Sequence, residues 1–306
     1  MNEAVYSNDI TDYALTQQEP RISDYFELLK PRVMSLVIFT GFAGMWIAPG
    51  MADVHPVLLA ISMLCLAVNA GAAGAINMWY DRDIDAIMAR TQNRPIPQGR
   101  IHPGDALAFG IVLSVFSVMV MGLALNWVAA GLLAGANLFY VLIYTMWLKR
   151  STPQNIVIGG ASGAFPPMIG WAAVTGDVQT LPIILFAIIF FWTPPHFWAL
   201  SLFANKDYKA AKIPMMTVVK GAAHTKIQML AYTFVLFPIA IAPTLMGYSS
   251  MAYGITAGIL SGLFVSSAVQ VLKDKNLESS KFKSAKTMFG YSVFYLFAIF
   301  LAIMIL

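Results

Sequence analysis

Residues 56–100 read PVLLAISMLCLAVNAGAAGAINMWYDRDIDAIMARTQNRPIPQGR, from Pro56 to Arg100. Up to Tyr80 the stretch holds no charged side chain, and about 20 mostly apolar residues are enough to cross the hydrocarbon core as a helix. It then changes abruptly into acids and bases. A membrane-crossing helix opening into a charged loop decides the fold, because backbone in lipid must satisfy its own hydrogen bonds and only helices or closed barrels do so.

Working outward, nine apolar stretches have this character: Pro31–Pro49, Pro56–Tyr80, Pro103–Leu125, Trp127–Leu148, Pro153–Val174, Leu181–Phe203, Ile227–Tyr248, Met251–Leu272 and Met288–Leu306. They predict an all-α polytopic membrane bundle with nine transmembrane helices. Composition agrees: 58% of the residues are hydrophobic and 11% charged, whereas soluble domains run at about 45–50% and about 25%. The net charge of +4 is too small and too dispersed for nucleic-acid binding. Its distribution matters instead for topology. All 19 lysines and arginines fall at the entry, after the second, fourth, sixth or eighth stretch, and none in the alternate loops. The positive-inside rule then puts the N-terminus in the cytoplasm and the C-terminus outside. Residues 1–27, acidic at Asp9, Asp12, Glu19 and Asp24, have the look of a mobile cytoplasmic tail before a membrane domain spanning 28–306. The tail has neither the basic start and apolar core of a secretory signal nor the Arg/Ser richness of a transit peptide, which points to a bacterial inner membrane. The single cysteine, Cys65, lies in an apolar run and forms no intrachain disulfide.

Asn77, Asp81 and Asp85 are spaced by four, so on a continuing helix they share one face. Magnesium takes hard oxygen ligands, commonly one or two carboxylates completed by water and substrate phosphate. Arg90, Arg94 and Arg100 follow, and the guanidinium fork suits phosphate oxygens. Two plainer readings compete. An acidic and basic cluster after a membrane helix is often only a solvated loop. The DRDID string also resembles the start of a calcium loop, but Ala86 stands where the required glycine belongs and Gln92 where the closing glutamate does. Against the solvated loop stands Asn77, a coordinating amide inside an apolar run.

The NxxxDxxxD pattern with the following RTxxRP resembles the first aspartate-rich motif of the UbiA superfamily of membrane prenyltransferases. Within it, DRDIDxxMxRTxxRP is similar to the branch that farnesylates protohaem. LLKPRV at 28–33, GAFPPMIGW at 163–171 and WTPPHFWALSLFANKDYKAAKIPMM at 192–216 agree, in order. The resemblance implies Mg²⁺ on Asn77, Asp81 and Asp85, and a diphosphate held by Arg90, Arg94, Lys206 and Lys212. It also implies farnesyl diphosphate and protohaem IX as substrates, with membrane lipid and the next haem-modifying enzyme as further partners. Many superfamily members carry a second pair of aspartates after the sixth helix. Here Asp207 is present but Ala211 stands four residues later, among Lys206, Lys209 and Lys212, so a symmetric two-metal site is in doubt. Asp207 joins Asp81 and Asp85 as an expected catalytic carboxylate.

His196 is the one histidine well inside an apolar stretch; His55, His102 and His224 lie in or near loops. It follows Pro194-Pro195, which free helical carbonyls, so it either satisfies a kink or contacts haem, for which imidazole is a common ligand. Trp171, Trp192, Phe197, Trp198 and Tyr208 gather near it in the sequence. They suit an aromatic belt or stabilisation of a prenyl cation. The rival activities are prenylation of an aromatic or quinone precursor by the same machinery and, from another class, transport. A transporter places ionisable groups near mid-membrane, whereas here they fall at the ends of the stretches.

Overall fold

The computed structural model describes residues 19–274 and 282–306. Every regular element among them is helical. Most of the expected tail, residues 1–18, lies outside the described residues, but Ile22–Leu28 forms a helix (α1). Arg100 ion-pairs with both Asp24 and Glu27 of α1, reaching Glu27 at 3.0 Å. Residues 22–27 therefore belong to the folded part rather than to a mobile tail.

Among the described residues, eight helices are long and apolar enough to cross a membrane. They are α3 (Pro56–Tyr80), α5 (Pro103–Ala124), α6 (Trp127–Ser151), α7 (Asn155–Thr175), α8 (Thr180–Phe203), α11 (Gly221–Leu245), α12 (Met251–Lys273) and α13 (Lys283–Ile305). Short helices α4 (Arg82–Ile87), α9 (Asn205–Ala210) and α10 (Met216–Val219) lie in the two long loops. The first apolar stretch falls short of its expected length. Its helix, α2, runs Pro31–Trp46, 16 residues, or about 24 Å at the helical rise against about 30 Å of hydrocarbon. The chain leaves the helix after Trp46 and turns through Gly50, at φ 79°, into a single 3-10 turn, Met51–Asp53.

The bundle has two halves. α3, α5, α6 and α7 pack together, as do α8, α11, α12 and α13, with α2 between them touching α3, α7 and α13. The α2–α7 contact explains the GAFPPMIGW motif. A Cβ on Gly170 would sit 1.9 Å from the Gly41 carbonyl oxygen, and one on Gly44 would sit 2.1 Å from that of Pro167. Only bare glycine backbone permits that approach, the usual device of helices packing without a hydrophobic driving force between them. On its other side α2 stacks Phe39 on Phe297 of α13, at 4.5 Å. In the first half, a buried network ties α3, α5 and α6: Asn69 donates to Ser117 at 2.9 Å, and Asn137 donates to Asn69 at 3.1 Å and to Ser114 at 3.1 Å.

Candidate active site

The helix of α3 continues into α4 with its hydrogen bonds kept. Asp81 N–H donates to Asn77 O at 2.9 Å and Asp85 N–H to Asp81 O at 2.8 Å, so the trio does share one face. All three side chains are buried, and Asp81 is 0% exposed. Buried carboxylates need partners, and each has one. Asp81 Oδ2 accepts from Asn77 Nδ2 at 2.7 Å and from the Lys149 ammonium, while Arg150 lies 3.5 Å from its other oxygen. Asp85 accepts from Arg94 at 2.5 Å. Asn77 Oδ1 accepts from Lys30 at 2.7 Å.

Chain features at three points present these cations. Lys30 adopts the left-handed conformation, φ 53°, uncommon for a residue with a Cβ. That kink separates α1 from α2 and places the lysine against Asn77. Arg94 sits in the turn after α4, which Thr91 closes by donating to Asp85 O at 2.9 Å. Lys149 and Arg150 end α6, whose second half, Phe139–Leu148, is a π-helix. Arg150 also holds Asp83 with two bonds of 2.7 and 2.8 Å, which keeps the Asp83 carboxyl below the usual carboxylate range. Four cations (Lys30, Arg94, Lys149, Arg150) thus face three carboxylates (Asp81, Asp83, Asp85). Burial, and the nearby charges of Arg94 and Lys149, push the Lys30 ammonium down to about 7. Surplus positive charge in a buried site is what an anionic ligand would relieve.

The second long loop packs against α4 and the turn after it. Tyr208, Ala211, Ile213 and Met215 pack against Ile84 and Met88 in one apolar cluster, and the Arg90 guanidinium lies 5.5 Å from the Tyr208 ring centroid. Burial raises the Tyr208 hydroxyl above its ordinary range, and the charge of Arg90 partly opposes this. Among the described residues no ion pair links Lys206, Asp207 or Lys212 to Asp81 or Asp85. Lys212, in the left-handed region at φ 55°, lines a cleft of about 330 Å³ with Asp83, Ile87 and Arg150. Arg100 turns away to α1. The donors of the trio are all hard oxygens, which fits magnesium. No group of three or more His, Cys, Asp or Glu able to hold a metal occurs among the described residues, so an ion here would need water and phosphate oxygens to complete its shell, as magnesium commonly does.

His196 lies in the second half, buried on α8. Its ring stacks between Trp192, at 4.3 Å, and Phe289, at 4.7 Å. Nδ1 is 2.7 Å from Ser292 Oγ. Ser292 gives its own hydrogen to Phe289 O at 2.6 Å, so the histidine N–H must be the donor and the neutral ring keeps its lone pair on Nε2. The helix runs on through Pro194-Pro195, and His196 Nδ1 bonds Ser292 rather than a backbone carbonyl freed by the prolines. Trp192 also reaches across, donating to Ser292 O at 2.8 Å. Trp171 does not join this group: its indole points to Asp177, 3.4 Å away, in the turn before α8.

Residues 37–303 match the UbiA prenyltransferase family. The chain belongs to the UbiA prenyltransferase family. It is 58% identical over 289 residues to the protoheme IX farnesyltransferase of Rhizobium johnstonii, covering 94% of this chain and 90% of that one. Against the protein of the same name from Granulibacter bethesdensis it is 55% identical over 313 residues, covering 99% and 98%. Among solved structures, digeranylgeranylglyceryl phosphate synthase superposes with a TM-score of 0.76 at 18% identity, over 93% of this chain and 97% of that one. A UbiA homologue of Archaeoglobus fulgidus, bound to DMAPP and Mg²⁺, gives 0.62 at 16%, over 92% and 100%. At such identities the two structures speak for the fold. With eight helices among the described residues long and apolar enough to cross a membrane, this member of the UbiA family is a multi-pass membrane protein.

Sequence reading missed four of the residues that build this site. Lys30 shows in the sequence only as part of LLKPRV, and Lys149 and Arg150 only as charges that follow the fourth apolar stretch. Thr145, which accepts from Asn77 at 3.1 Å, carried no signal, because nothing in its neighbourhood announces a π-helix.

Proposed function

We infer that this UbiA prenyltransferase transfers the farnesyl group of farnesyl diphosphate to a vinyl group of protohaem, giving haem O and diphosphate. The observation that carries the reading is the buried oxygen face of Asn77, Asp81 and Asp85, each member held by its own cation beneath a roof made by both long loops. The identity of more than half shared with farnesyltransferases that act on protoheme IX supports the choice of substrates.

Asn77, Asp81 and Asp85 would hold Mg²⁺, whose chemistry is to neutralise the departing diphosphate. Arg94, Lys30 and Lys149 turn from the trio to the diphosphate oxygens, joined by Arg90, Lys206 and Lys212 from the roof. Preorganised positive charge of this kind acts where negative charge develops. Asp207, on α9, stays the second-loop carboxylate of the site, with Lys206, Lys209 and Lys212 near it in sequence and Ala211 where a partner aspartate would stand. The C1–O bond of farnesyl diphosphate breaks with its electron pair leaving on the diphosphate. The vinyl carbon of protohaem bonds to C1, and water captures the resulting cation and gives up a proton, leaving a hydroxyethylfarnesyl side chain. His196 Nε2, with Nδ1–H anchored on Ser292, is the haem contact; a ligating histidine typically donates its other ring N–H in this way.

The nine-crossing arrangement with a cytoplasmic N-terminus remains our reading, with α2 the short member. Its support is the charge asymmetry of the loops, and the bacterial relatives favour the inner membrane. The test is haem O formation by the purified chain from protohaem, farnesyl diphosphate and Mg²⁺, with 4-hydroxybenzoate offered in competition. Haem O should be the product; prenylated benzoate in its place would move the acceptor to aromatic acids. Undiminished haem O formation by Asp81→Asn would sink the metal assignment.

A further inference from the structure

Thr145 is fully buried in the π-helical half of α6, facing the end of α3. The Asn77 amide has two hydrogens and both are committed, one to Asp81 Oδ2 at 2.7 Å and one to Thr145 Oγ1 at 3.1 Å. The remaining atom, Oδ1, faces the Lys30 ammonium at 2.7 Å. The two acceptors differ in kind. Asp81 Oδ2 is shared with Lys149, and any cation that draws this carboxylate toward itself loosens its hold on the amide. Thr145 is neutral and takes no part in that exchange, so it is the acceptor that stays.

The orientation matters because the two ends of an amide have opposite chemistry. Flipped by 180°, Asn77 would press its carbonyl oxygen against the Asp81 carboxylate and turn N–H groups toward the cation position. A hard cation binds the oxygen and not the N–H. The π-helix is what brings the hydroxyl there. Such i→i+5 turns are rare and often mark functional sites. In an α-helix the five residues from Thr145 to Arg150 would make about 1.4 turns and carry the two side chains to different sides. In the observed segment Thr145 meets Asn77, Lys149 meets Asp81, and Arg150 meets Asp81 and Asp83.

We propose that Thr145 is a positioning residue that fixes the Asn77 amide with its oxygen turned to the metal-diphosphate site. The inference rests on the reading of Asn77 as a metal ligand. Both are tested by titrating Mn²⁺, followed by electron paramagnetic resonance, into the purified chain with inorganic diphosphate present. Residues that orient a metal ligand typically contribute 10–100-fold in affinity. Thr145→Val should weaken Mn²⁺ binding by about 10-fold, Thr145→Ser should restore it, and Thr145→Val should add little on top of Asn77→Ala. Protohaem binding, which depends on the other half, should be unchanged. Thr145→Ala removes the same hydroxyl and gives the same test if the valine variant fails to fold. Unaltered Mn²⁺ affinity in the hydroxyl-less variant, with Asn77→Ala weakened, overturns this inference and leaves the ligand reading standing. Wild-type affinity in Asn77→Ala overturns both.

Discussion

The two halves of the bundle treat buried polar groups in opposite ways. In the first, at the end of α3, three carboxylates and an amide are crowded against four cations, with each carboxylate set opposite a cation and Lys30 opposite the Asn77 amide oxygen. In the second, His196 is wrapped in aromatic rings and makes one hydrogen bond to a neutral hydroxyl. The first is built to exchange ions, since an incoming phosphate and metal can take over partners already there. On the proposed function, the second would set a flat apolar body beside a single nitrogen, His196 Nε2. On the same reading, a reaction joining an anionic donor to a porphyrin needs both environments, and the halves that carry them meet through α2 and where α7 packs on α8.

That contrast can be broken by variants that act on one half only. The largest effect is expected for Asp81→Asn, which should lower kcat for haem O formation on the order of 10²–10³-fold, the usual loss when one preorganised electrostatic group is removed, with protohaem binding unaltered. Next, His196→Ala should weaken protohaem binding about 10-fold and change its Soret spectrum, while Mg²⁺-dependent binding of farnesyl diphosphate persists. A loss of both ligands in either variant would mean that the halves are not separate. Gly170→Ala should damage the scaffold that both halves share. Its methyl group has nowhere to go beside Gly41, and overpacking of this kind costs about 1–3 kcal/mol, read as a lower unfolding midpoint with no selective effect on either ligand.

A separate effect concerns pH. Lys30 titrates near 7 in the ligand-free fold against an ordinary 10.5. Between those values the unfolded chain binds more protons than the folded one, so stability rises with pH across the window. Lys30→Met should flatten that slope between about pH 7 and 10.5, measured as thermal unfolding of the ligand-free protein at several pH values.

Much of this was legible in the sequence because it depends on local period and charge. Four-residue spacing put Asn77, Asp81 and Asp85 on one face, and apolar runs located eight helices of full crossing length. What could not be read depends on where helices meet. The shortness of α2 follows from a turn after Trp46 rather than from loss of apolar character. Lys149 and Arg150 became partners of Asp81 only when a π-helix set the register of α6. Trp171, the last residue of the GAFPPMIGW motif, turns its indole to Asp177, a partner that sequence proximity to the His196 segment does not announce. Lys212 lines a cleft with Asp83 and Arg150, neighbours from two other segments that no local period announces.

The central claim is that Asn77, Asp81 and Asp85 form a metal-dependent diphosphate site separate from the haem contact. Calorimetric titration of farnesyl diphosphate into wild type and Asp81→Asn, with and without Mg²⁺, tests it most directly. The account predicts Mg²⁺-dependent binding in wild type that Asp81→Asn loses, with protohaem binding equal in both. Farnesyl diphosphate binding that is equally tight in Asp81→Asn, or indifferent to Mg²⁺ in wild type, would contradict it.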